Sequence, residues 1–378
     1  MHYIDELKPN EIKGKRVLVR AGLNVPVEGG RVVNGFRIRR AVPTLKYLLG
    51  AGARVIVISH IGRDPEETLL PVAEVLKRHV PLTFVPDVLG AHARSLMRDM
   101  REGEALMLEN LRRDERERGN DAAFARALAD FADIFVQDAF EVLHREHASV
   151  VSVPRHVPSY AGLLVKDEVF HLSGALTPPS PSLAIIGGAK FGTKEPLIKK
   201  LLALYGHVFI GGALANDIFK ARHFEVGRSL VSEKPFDKAM LLNERLLAPE
   251  DVVVERPDGQ ARVKLPHEVT KDEKIVDVGP DSIATLIPHI KQSKCILWNG
   301  PMGLYESGFD EWTRALAKSV AKSDAHTIVG GGDTLAAIHD EGIEEEFGFI
   351  STGGGAMLQF LMNDGSLPGI TALDSTLQ

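Results

Sequence analysis

Five glycine-rich segments follow short apolar runs in the second half of this 378-residue chain, where backbone amides could bind phosphate. They are Gly187-Gly188, Gly211-Gly212, Asn299-Gly300, Gly330-Gly331-Gly332 and Gly353-Gly354-Gly355. Ligands of open α/β sheets bind at the carboxyl ends of strands, and glycine lets the amides of a helix N-terminus approach a phosphate closely. Any one segment could be only a tight turn or a helix cap. Their repetition predicts a polyphosphate site.

Two lysines follow the first of these segments. Lys190 and Lys194 lie four residues apart where a predicted strand gives way to a predicted helix, so both ammonium groups could face one bound anion. The dinucleotide fingerprint G-x-G-x-x-G fails here at Ala189, and the phosphate loop G-x-x-x-x-G-K fails because Thr193 precedes Lys194. Lysines at this spacing could also form a solvated face, but the neighbouring glycines favour anion binding.

One carboxylate stands among the glycines. Asp333 follows Gly331 and Gly332 at the end of an otherwise uncharged run, and Thr334 comes next. A carboxylate among phosphate-binding amides would repel the ligand unless a cation lay between them, which predicts Mg²⁺ bound by Asp333 and phosphate oxygens. Asp333 could instead cap the following helix, and both roles can hold together.

The first half of the chain contributes cations. They are Arg37, His60, Arg63, Arg112, His144, Arg145 and His147. Several of them come from predicted strand ends or from the loops just after them. Guanidinium groups suit bidentate recognition of phosphate and carboxylate, so together these residues predict a basic patch for a small anionic substrate, although each arginine alone is more often part of a surface ion pair. Zinc is not predicted, because the two histidines at 144 and 147 lack the spacing of a metalloprotease and no cysteine joins them.

Two parallel sheets are needed to position these residues. Short β-branched runs alternate with helical stretches, and near-continuous apolar runs suit strands that are covered on both faces. The predicted strands are 16–20, 54–58, 104–108 and 133–136 in the first half, and 183–186, 208–210, 252–254, 295–298 and 327–329 in the second. The pattern predicts an α/β fold with two doubly wound, Rossmann-like parallel sheets. Residues 255–271 predict a turn or hairpin around Pro257-Asp258-Gly259.

A helix is predicted between the two sheets. Residues 163–176 form an amphipathic run that Ser159 could cap and that the prolines from Pro178 onward must end. We therefore expect a first domain at 1–160, an interdomain helix with a hinge at 161–176, and a second domain at 177–362.

Composition excludes several classes of protein. Hydrophobic residues make up 44% and charged residues 25% of the chain, which is ordinary for a globular protein. The net charge of -6 argues against strong nonspecific binding to nucleic acid or to a membrane surface. Cys295 is the only cysteine, and the sequence has neither a signal peptide nor an apolar segment long enough to span a bilayer. We expect a cytoplasmic protein that binds neither nucleic acid nor membrane.

Ten segments, in order along nearly the whole chain, resemble the phosphoglycerate kinase family. Those of the first half are R-A-G-L-N-V-P at 20–26, R-I-R at 37–39, S-H-I-G-R at 59–63, E-N-L-R at 109–112, D-A-F at 138–140 and H-R-E-H-A-S at 144–149. Those of the second half are G-G-A-K at 187–190, W-N-G-P-M-G at 298–303, G-G-G-D-T at 330–334 and S-T-G-G-G at 351–355. The resemblance implies two Rossmann-like domains, the first for 3-phosphoglycerate or 1,3-bisphosphoglycerate and the second for MgADP or MgATP. It also implies a monomer whose C-terminal segment, 363–378, packs on the first domain.

The resemblance assigns roles residue by residue. It implies that the substrate is bound by Asn24, Arg37, His60, Arg63, Arg112 and Arg145. It implies that Lys190 stabilises the migrating phosphoryl group together with Arg37. The implied nucleotide contacts are Gly188, Lys194, Asn299, Glu306, Gly331, Gly332, Asp333 and Thr334, with Asp333 as the magnesium ligand.

The chain departs from the family pattern at Gly22. The family usually has R-V-D-F-N here, with an aspartate that contacts the glycerate part of the substrate. Losing one substrate hydrogen bond should cost about 1–3 kcal/mol, so we expect weaker binding or relaxed specificity, with transfer retained. Thr193, where many members have aspartate, is a second departure.

The implied reaction transfers a phosphoryl group between a carboxylate and the terminal phosphate of a nucleotide, as phosphoglycerate kinase does in glycolysis and gluconeogenesis. A carboxylate is already ionised at pH 7, so catalysis needs no general base and reduces to alignment, charge stabilisation and exclusion of water as the two halves close. Two alternatives stay open from the sequence. Gly22 could indicate a same-fold kinase for another small carboxylate, and the chain could be a nucleotide-binding sensor without catalysis, against which Lys190 and Asp333 speak.

Overall fold

Two parallel sheets organise the chain. The computed structural model describes residues 1–189 and 191–374, and in these residues each of two units contains a six-stranded sheet whose strand pairs are all parallel. Unit 1 comprises residues 1–170 together with the segment that begins at Gly365, and unit 2 comprises residues 171–364. The predicted α/β fold with two doubly wound sheets is confirmed.

The sheet of unit 1 has the strand order β5-β6-β4-β1-β7-β8. Its strands, with the small antiparallel pair β2 and β3, are β1 (Arg16–Ala21), β2 (Val27–Glu28), β3 (Arg31–Val32), β4 (Arg54–Ile58), β5 (Leu82–Val85), β6 (Ala105–Leu108), β7 (Ile134–Asp138) and β8 (Ser159–Ala161). Its helices are α1 (Pro9–Ile12), α2 (Phe36–Gly50), α3 (Leu70–Leu76), α4 (Ala91–Asp99), α5 (Glu115–Arg118) and α6 (Ala122–Ala129).

Both faces of this sheet are covered, which explains its near-continuous apolar strands. Side chains alternate between the two faces of a strand, so Val17 and Val19 of β1 enter one hydrophobic cluster whereas Leu18 enters another. In β4, Ile56 and Ile58 join Leu18. Because the central strands are parallel, their carboxyl ends lie at the same edge of the sheet, and polar residues follow the apolar runs there.

Helix α7 (Leu163–Ala175) contains the boundary between the units, which falls after Phe170. The prediction that Ser159 caps this helix is wrong, because Ser159 lies in β8 and its hydroxyl donates to the Val157 carbonyl (2.7 Å). The first amides of the helix instead donate to other side chains of unit 1, and Leu163 N donates to Thr44 Oγ1 (3.1 Å). Leu164 N donates to Asp138 Oδ1 (3.0 Å).

The sheet of unit 2 has the strand order β11-β10-β9-β15-β16-β17. The strands of this unit are β9 (Ser182–Ile186), β10 (His207–Ile210), β11 (Leu246–Leu247), β12 (Val252–Glu255), β13 (Ala261–Lys264), β14 (Lys274–Val278), β15 (Cys295–Asn299), β16 (His326–Gly330) and β17 (Phe349–Ile350). Its helices are α8 (Phe191–Leu204), α9 (Ala213–Ala221), α10 (Lys238–Leu241), α11 (Pro280–Gln292), α12 (Glu311–Ala321), α13 (Gly332–Asp340) and α14 (Gly355–Met362).

One predicted strand of unit 2 belongs to a different sheet. Residues 252–254, expected in the parallel sheet, form part of β12, which pairs antiparallel with β13 and β14 in a separate three-stranded sheet. The predicted hairpin around Pro257-Asp258-Gly259 joins β12 to β13. Inward-facing Val252 and Val254 pack against Phe219 of α9, so their burial resembles that of a strand in a doubly wound sheet.

Helix α15 (Pro368–Asp374) is the last element that the structure describes, and it belongs to unit 1. Gly369 N donates to the Leu143 carbonyl (2.9 Å), and the amino group of Met1 pairs with Asp374. None of the helices in the described part of the chain combines the length and apolar character needed to cross a membrane.

Candidate active site

The carboxyl ends of four neighbouring strands bring the predicted substrate residues of unit 1 to one edge. In the strand order β6-β4-β1-β7, all pairs are parallel, so the loops that follow these strands leave from the same side. Asn24 follows β1, His60 follows β4, Arg112 follows β6 and Arg145 follows β7. The sheet thereby assembles residues that are distant in the sequence.

Arg20, a residue that the sequence analysis missed, lies buried at the centre of this edge. Its side chain is fully buried at the end of β1, and its Nη2 contacts His60 Nδ1 at 2.8 Å. Its Nε donates to Ser149 Oγ (3.0 Å), which in turn donates to Glu117 Oε1 (2.6 Å). The signal was present in the sequence, because an arginine within the apolar run 16–21 needs a buried partner.

Like charges crowd this edge. Seven basic side chains are named here the cation cluster, because each of them interacts electrostatically with at least one other: Arg20, Arg37, His60, Arg112, Arg118, Arg145 and His147. Burial and the nearby Arg20 hold the pKa of His60 well below 6.5, and burial together with Arg118 lowers the pKa of Arg112 to about 10. Mutual repulsion of this kind would be relieved by a bound anion.

Asn24, Arg37 and Arg63 are held by hydrogen bonds that involve the backbone. Asn24 Oδ1 accepts from Gly62 N (2.9 Å), and the Asn24 carbonyl accepts from Arg37 Nη1 (2.5 Å), so Asn24 links the loops after β1 and β4 to α2. Arg63 is exposed and meets the cluster through its carbonyl, which accepts from Arg118 (2.8 Å). The Arg63 side chain is therefore not gathered with the others.

His147 should make stability depend on pH. Burial, followed by the charges of Arg20 and Arg145, lowers its pKa in the folded protein to about 4, against 6.5 for the free side chain. The unfolded chain therefore binds more protons between these values, so this contribution to stability is fully present above pH 6.5 and is lost as the pH falls toward 4. We expect the urea midpoint to fall less between pH 7 and pH 5 in His147→Gln than in the wild type.

The control for this measurement is His92→Gln, which replaces an exposed histidine of α4. This variant should follow the wild-type profile. Equal pH profiles for His147→Gln and wild type would contradict the assignment.

In unit 2, glycines follow five of the six strands of the parallel sheet, as predicted, but much of their backbone is already hydrogen-bonded. Gly187 N donates to the Asn299 carbonyl (2.8 Å), Gly188 N to the Pro301 carbonyl (2.9 Å), and Gly300 N to Thr334 Oγ1 (3.0 Å). These glycines therefore allow the segments that follow neighbouring strands to pack closely. Phosphate binding would fall to the amides at helix N-termini, such as that of α13.

Gly212 shows how tight this packing is. It has φ +60°, and a Cβ there would lie 2.6 Å from Gly188 N and 2.9 Å from the Pro301 carbonyl oxygen. Because both neighbours are backbone atoms, we expect Gly212→Ala to destabilise unit 2 by about 1–3 kcal/mol more than a glycine with the same strain but open surroundings. Gly342→Ala is that control, since Gly342 has φ +69° and nothing within 4 Å of its Cβ position. Equal unfolding midpoints for the two variants would contradict the packing argument.

Three charged side chains of unit 2 lie within electrostatic reach of one another. Lys194 Nζ donates to the Gly187 carbonyl (2.7 Å), and burial lowers its pKa to about 8, an effect that Asp333 opposes. Desolvation, and then the like charge of Glu306, raise the pKa of Asp333. Helix α13 begins at Gly332, so Asp333 lies in its first turn and does not occupy the capping position, which belongs to Gly331. The cap interpretation of Asp333 is therefore wrong.

A narrow cleft lies beside Gly212, and the sequence analysis did not find it. Its walls come from the start of α9, from β14 and from the loop after β15, and they include Phe219, Val276 and Leu304. Asn216 and Asp277 add polar groups, and burial raises the pKa of Asp277 to about 7. An apolar cleft with a few polar groups is typical of a small-molecule site.

Lys190 lies outside the described residues. Asn299 ends β15 and is buried, and its carbonyl receives the Gly187 amide described above. Among residues 1–189 and 191–374, no three His, Cys, Asp or Glu side chains come together as metal ligands. A divalent cation here would need ligand oxygens in addition to those of the protein.

Comparison with known proteins gives one result. The sequence model of the phosphoglycerate kinase family matches residues 4–364. The chain is 41% identical over 382 residues to a phosphoglycerate kinase of Thermomicrobium roseum, covering 96% of this chain and 97% of that one. It is 40% identical over 389 residues to that of Moorella thermoacetica, covering 97% and 98%.

Solved structures agree. The phosphoglycerate kinase of Coxiella burnetii is 37% identical with a TM-score of 0.82, and that of Pyrococcus horikoshii OT3 is 27% identical with a TM-score of 0.86. Each comparison covers 100% of this chain and 99% of the other.

Proposed function

The chain belongs to the phosphoglycerate kinase family, and from this premise we propose that unit 1 binds the phosphoglycerate and unit 2 binds the nucleotide. The protein is an enzyme, a phosphotransferase that uses ATP and ADP as co-substrates and acts on a small molecule. The residues that carry out this reaction should therefore come from both units.

The cation cluster is the observation that supports the substrate site most strongly. Arg112 is held close to Arg20, Arg118 and Arg145 although their positive charges repel one another. A ligand with a phosphate at one end and a carboxylate at the other would remove this repulsion. We assign substrate binding to Asn24, Arg37, His60, Arg63, Arg112 and Arg145, with Arg20 and Glu117 as positioning residues.

Nucleotide binding draws on several elements of unit 2. The amides of Gly332 and Asp333 at the start of α13 and the Lys194 ammonium are suited to the phosphates. We assign the nucleoside to the apolar surface around the cleft beside Gly212. Gly188, Asn299, Gly331 and Thr334 hold these groups close to one another, and Glu306 completes the proposed nucleotide set.

Magnesium fits the carboxylate at position 333. The pKa of Asp333 is raised partly by Glu306, and a cation between them and the phosphates would remove that repulsion. A single carboxylate with substrate phosphates is a common way of binding Mg²⁺, which when bound neutralises phosphate charge. We assign the metal contact to Asp333.

The chemistry requires alignment rather than proton transfer. The carboxylate oxygen of 3-phosphoglycerate forms a bond to the γ-phosphorus as the bond from phosphorus to the ADP oxygen breaks. Arg37 offsets charge on the migrating group, and we assign the same role to Lys190 by resemblance.

The test is a coupled assay on the full chain with 3-phosphoglycerate, ATP and Mg²⁺. We expect turnover that requires all three components. No turnover at millimolar substrate would contradict the function.

Transfer also requires the two bound ligands to meet with water excluded. The predicted domain limits, 1–160 and 177–362 with a hinge helix at 161–176, stay a proposal, as does packing of 363–378 on the first domain. We expect the small-angle scattering profile to change when both ligands are added together. Identical profiles with and without the two ligands would argue against closure.

The cellular location and the oligomeric state of the enzyme are also proposals. We infer a cytoplasmic monomer that binds neither nucleic acid nor membrane, supported by the net charge of -6 and the single cysteine. Sedimentation of the purified chain tests the oligomeric state.

A further inference from the structure

A buried carboxylate lies beside the cation cluster of unit 1. Glu141 belongs to the 3-10 turn Phe140–Val142 that follows β7, and its side chain is 8% exposed. Within the described residues, neither Oε1 nor Oε2 of Glu141 has a hydrogen-bond partner, and both atoms are shielded from solvent. Burial of a carboxylate without hydrogen bonds is costly, so a group that is retained in this state calls for an explanation.

The Glu141 carboxylate occupies the volume that a side chain at position 22 would fill. Strands β1 and β7 are neighbours with Ala21 opposite Asp138, so Gly22 and the turn of Glu141 continue from the same sheet edge. A Cβ on Gly22 would lie 2.8 Å from Oε1 and 2.9 Å from Cδ of Glu141, and closer still to Oε2. The carboxylate can hold this position only because residue 22 is glycine.

A structural counter-ion role does not explain Glu141. Arg20 feels its charge, but the Arg20 guanidinium donates to Ser149 Oγ and to the Ala21 carbonyl and contacts His60 Nδ1. Glu141 also has an acidic neighbour, since burial and then the Glu141 charge raise the pKa of Asp138 to about 7. A carboxylate used as a counter-ion would be joined to the guanidinium by hydrogen bonds, as Glu117 is joined to Arg20 through Ser149.

We propose that Glu141 binds the C2 hydroxyl of the phosphoglycerate and supplies, from the end of β7, the substrate-binding carboxylate that position 22 lacks. This inference rests on the proposed function of unit 1. A carboxylate only accepts hydrogen bonds, and the phosphate and carboxylate of the ionised substrate also only accept. The C2 hydroxyl is the donor that remains. Glu141 would thus bind the substrate and set its specificity without taking part in the transfer.

The proposal replaces the expectation that Gly22 weakens substrate binding. The contact is expected to be retained, with its carboxylate provided by another strand end. It also reverses the expected effect of restoring aspartate at position 22. In the wild type, Gly22→Asp would place a Cβ against Glu141 and a second negative charge beside it, so the substitution should impair the enzyme.

A double-mutant cycle tests this reversal. Glu141→Gly should raise KM for 3-phosphoglycerate about 10- to 100-fold, the range for a hydrogen bond to a charged group, with a smaller change in kcat. Gly22→Asp alone should raise KM and lower the unfolding midpoint. Gly22→Asp combined with Glu141→Gly should return KM toward the wild-type value. If Gly22→Asp has the same effect with and without Glu141, the proposal is overturned.

The wild type provides a test that needs no substitution. 3-Phosphonooxypropanoate lacks the C2 hydroxyl and should bind about 10- to 100-fold more weakly than 3-phosphoglycerate by calorimetry. In Glu141→Gln, which keeps the shape of the side chain, this discrimination should shrink. Equal affinity of the wild type for both ligands, or undiminished discrimination in Glu141→Gln, overturns the role of Glu141. Absence of any 3-phosphoglycerate binding by the wild type would instead contradict the proposed function.

Discussion

Arg37→Ala is expected to lower kcat about 10²- to 10³-fold, the usual cost of removing one preorganised group that stabilises charge in the transition state. Arg37 lies in the first turn of α2, a turn that contains no acidic residue and in which the helix dipole disfavours a cation. Its Nη1 is fixed by the Asn24 carbonyl (2.5 Å), which aims the guanidinium at the sheet edge. Steady-state kinetics with each substrate varied in turn measure the effect.

The kinetic pattern distinguishes this role from a structural one. KM for the nucleotide should stay unchanged, because we assign the nucleotide to unit 2, and Arg37→Lys should recover part of kcat through its charge. Arg126→Ala is the control, since Arg126 is an exposed arginine on α6. If Arg37→Ala and Arg126→Ala gave the same kcat, the assignment of Arg37 would be wrong.

Asp333→Asn is expected to lower kcat/KM for MgATP about 100-fold or more, because the Mg²⁺ that we assign to Asp333 would lose its protein carboxylate. Without Mg²⁺, the substitution should have the opposite effect on ATP binding. In EDTA, free ATP should bind more tightly to Asp333→Asn than to the wild type, since the substitution removes a negative charge beside Glu306 and the phosphates. Calorimetry with and without Mg²⁺ measures both effects.

The matched control is Asp324→Asn, which neutralises an exposed aspartate of the same unit in the turn before β16. It should bind both forms of ATP as the wild type does. Weaker binding of free ATP by Asp333→Asn than by the wild type would show that Asp333 acts by holding the loop rather than a cation.

The strands that the sequence predicts best are those covered on both faces. Residues 54–58 form β4 with the predicted boundaries, because every second side chain serves one of two hydrophobic clusters. Strand β5 (Leu82–Val85) is not predicted from the sequence. It is short, lies at the edge of the sheet with partly exposed Thr83 and Phe84, and stands between Pro81 and Pro86. Edge strands lack the apolar pattern that identifies central ones.

The misplacement of residues 252–254 has a related cause. A run of three valines indicates that a strand is buried but not which sheet contains it. Its partner strand β14 is not predicted from the sequence, because Lys274 and Asp277 interrupt the apolar pattern. Sheet membership depends on pairing between segments, which local pattern does not contain.

That glycines and basic residues lie together at strand ends could be predicted, because they recur after the apolar runs that form parallel strands. What could not be predicted is how those residues are used. The amides of Gly187 and Gly188 were expected to face a phosphate, but they hold neighbouring strands together. The relation between Gly22 and Glu141 was out of reach, since it exists only where two parallel strands end side by side.

The cation cluster has a kinetic consequence. It concentrates positive potential at one sheet edge of a chain whose net charge is -6, so a multiply charged anion is steered to that edge from solution and repelled elsewhere. Added salt shortens the range of this attraction to the order of 10 Å at 0.1 M. The association rate of phosphoglycerate should therefore fall with ionic strength, and the velocity at low substrate concentration should follow it.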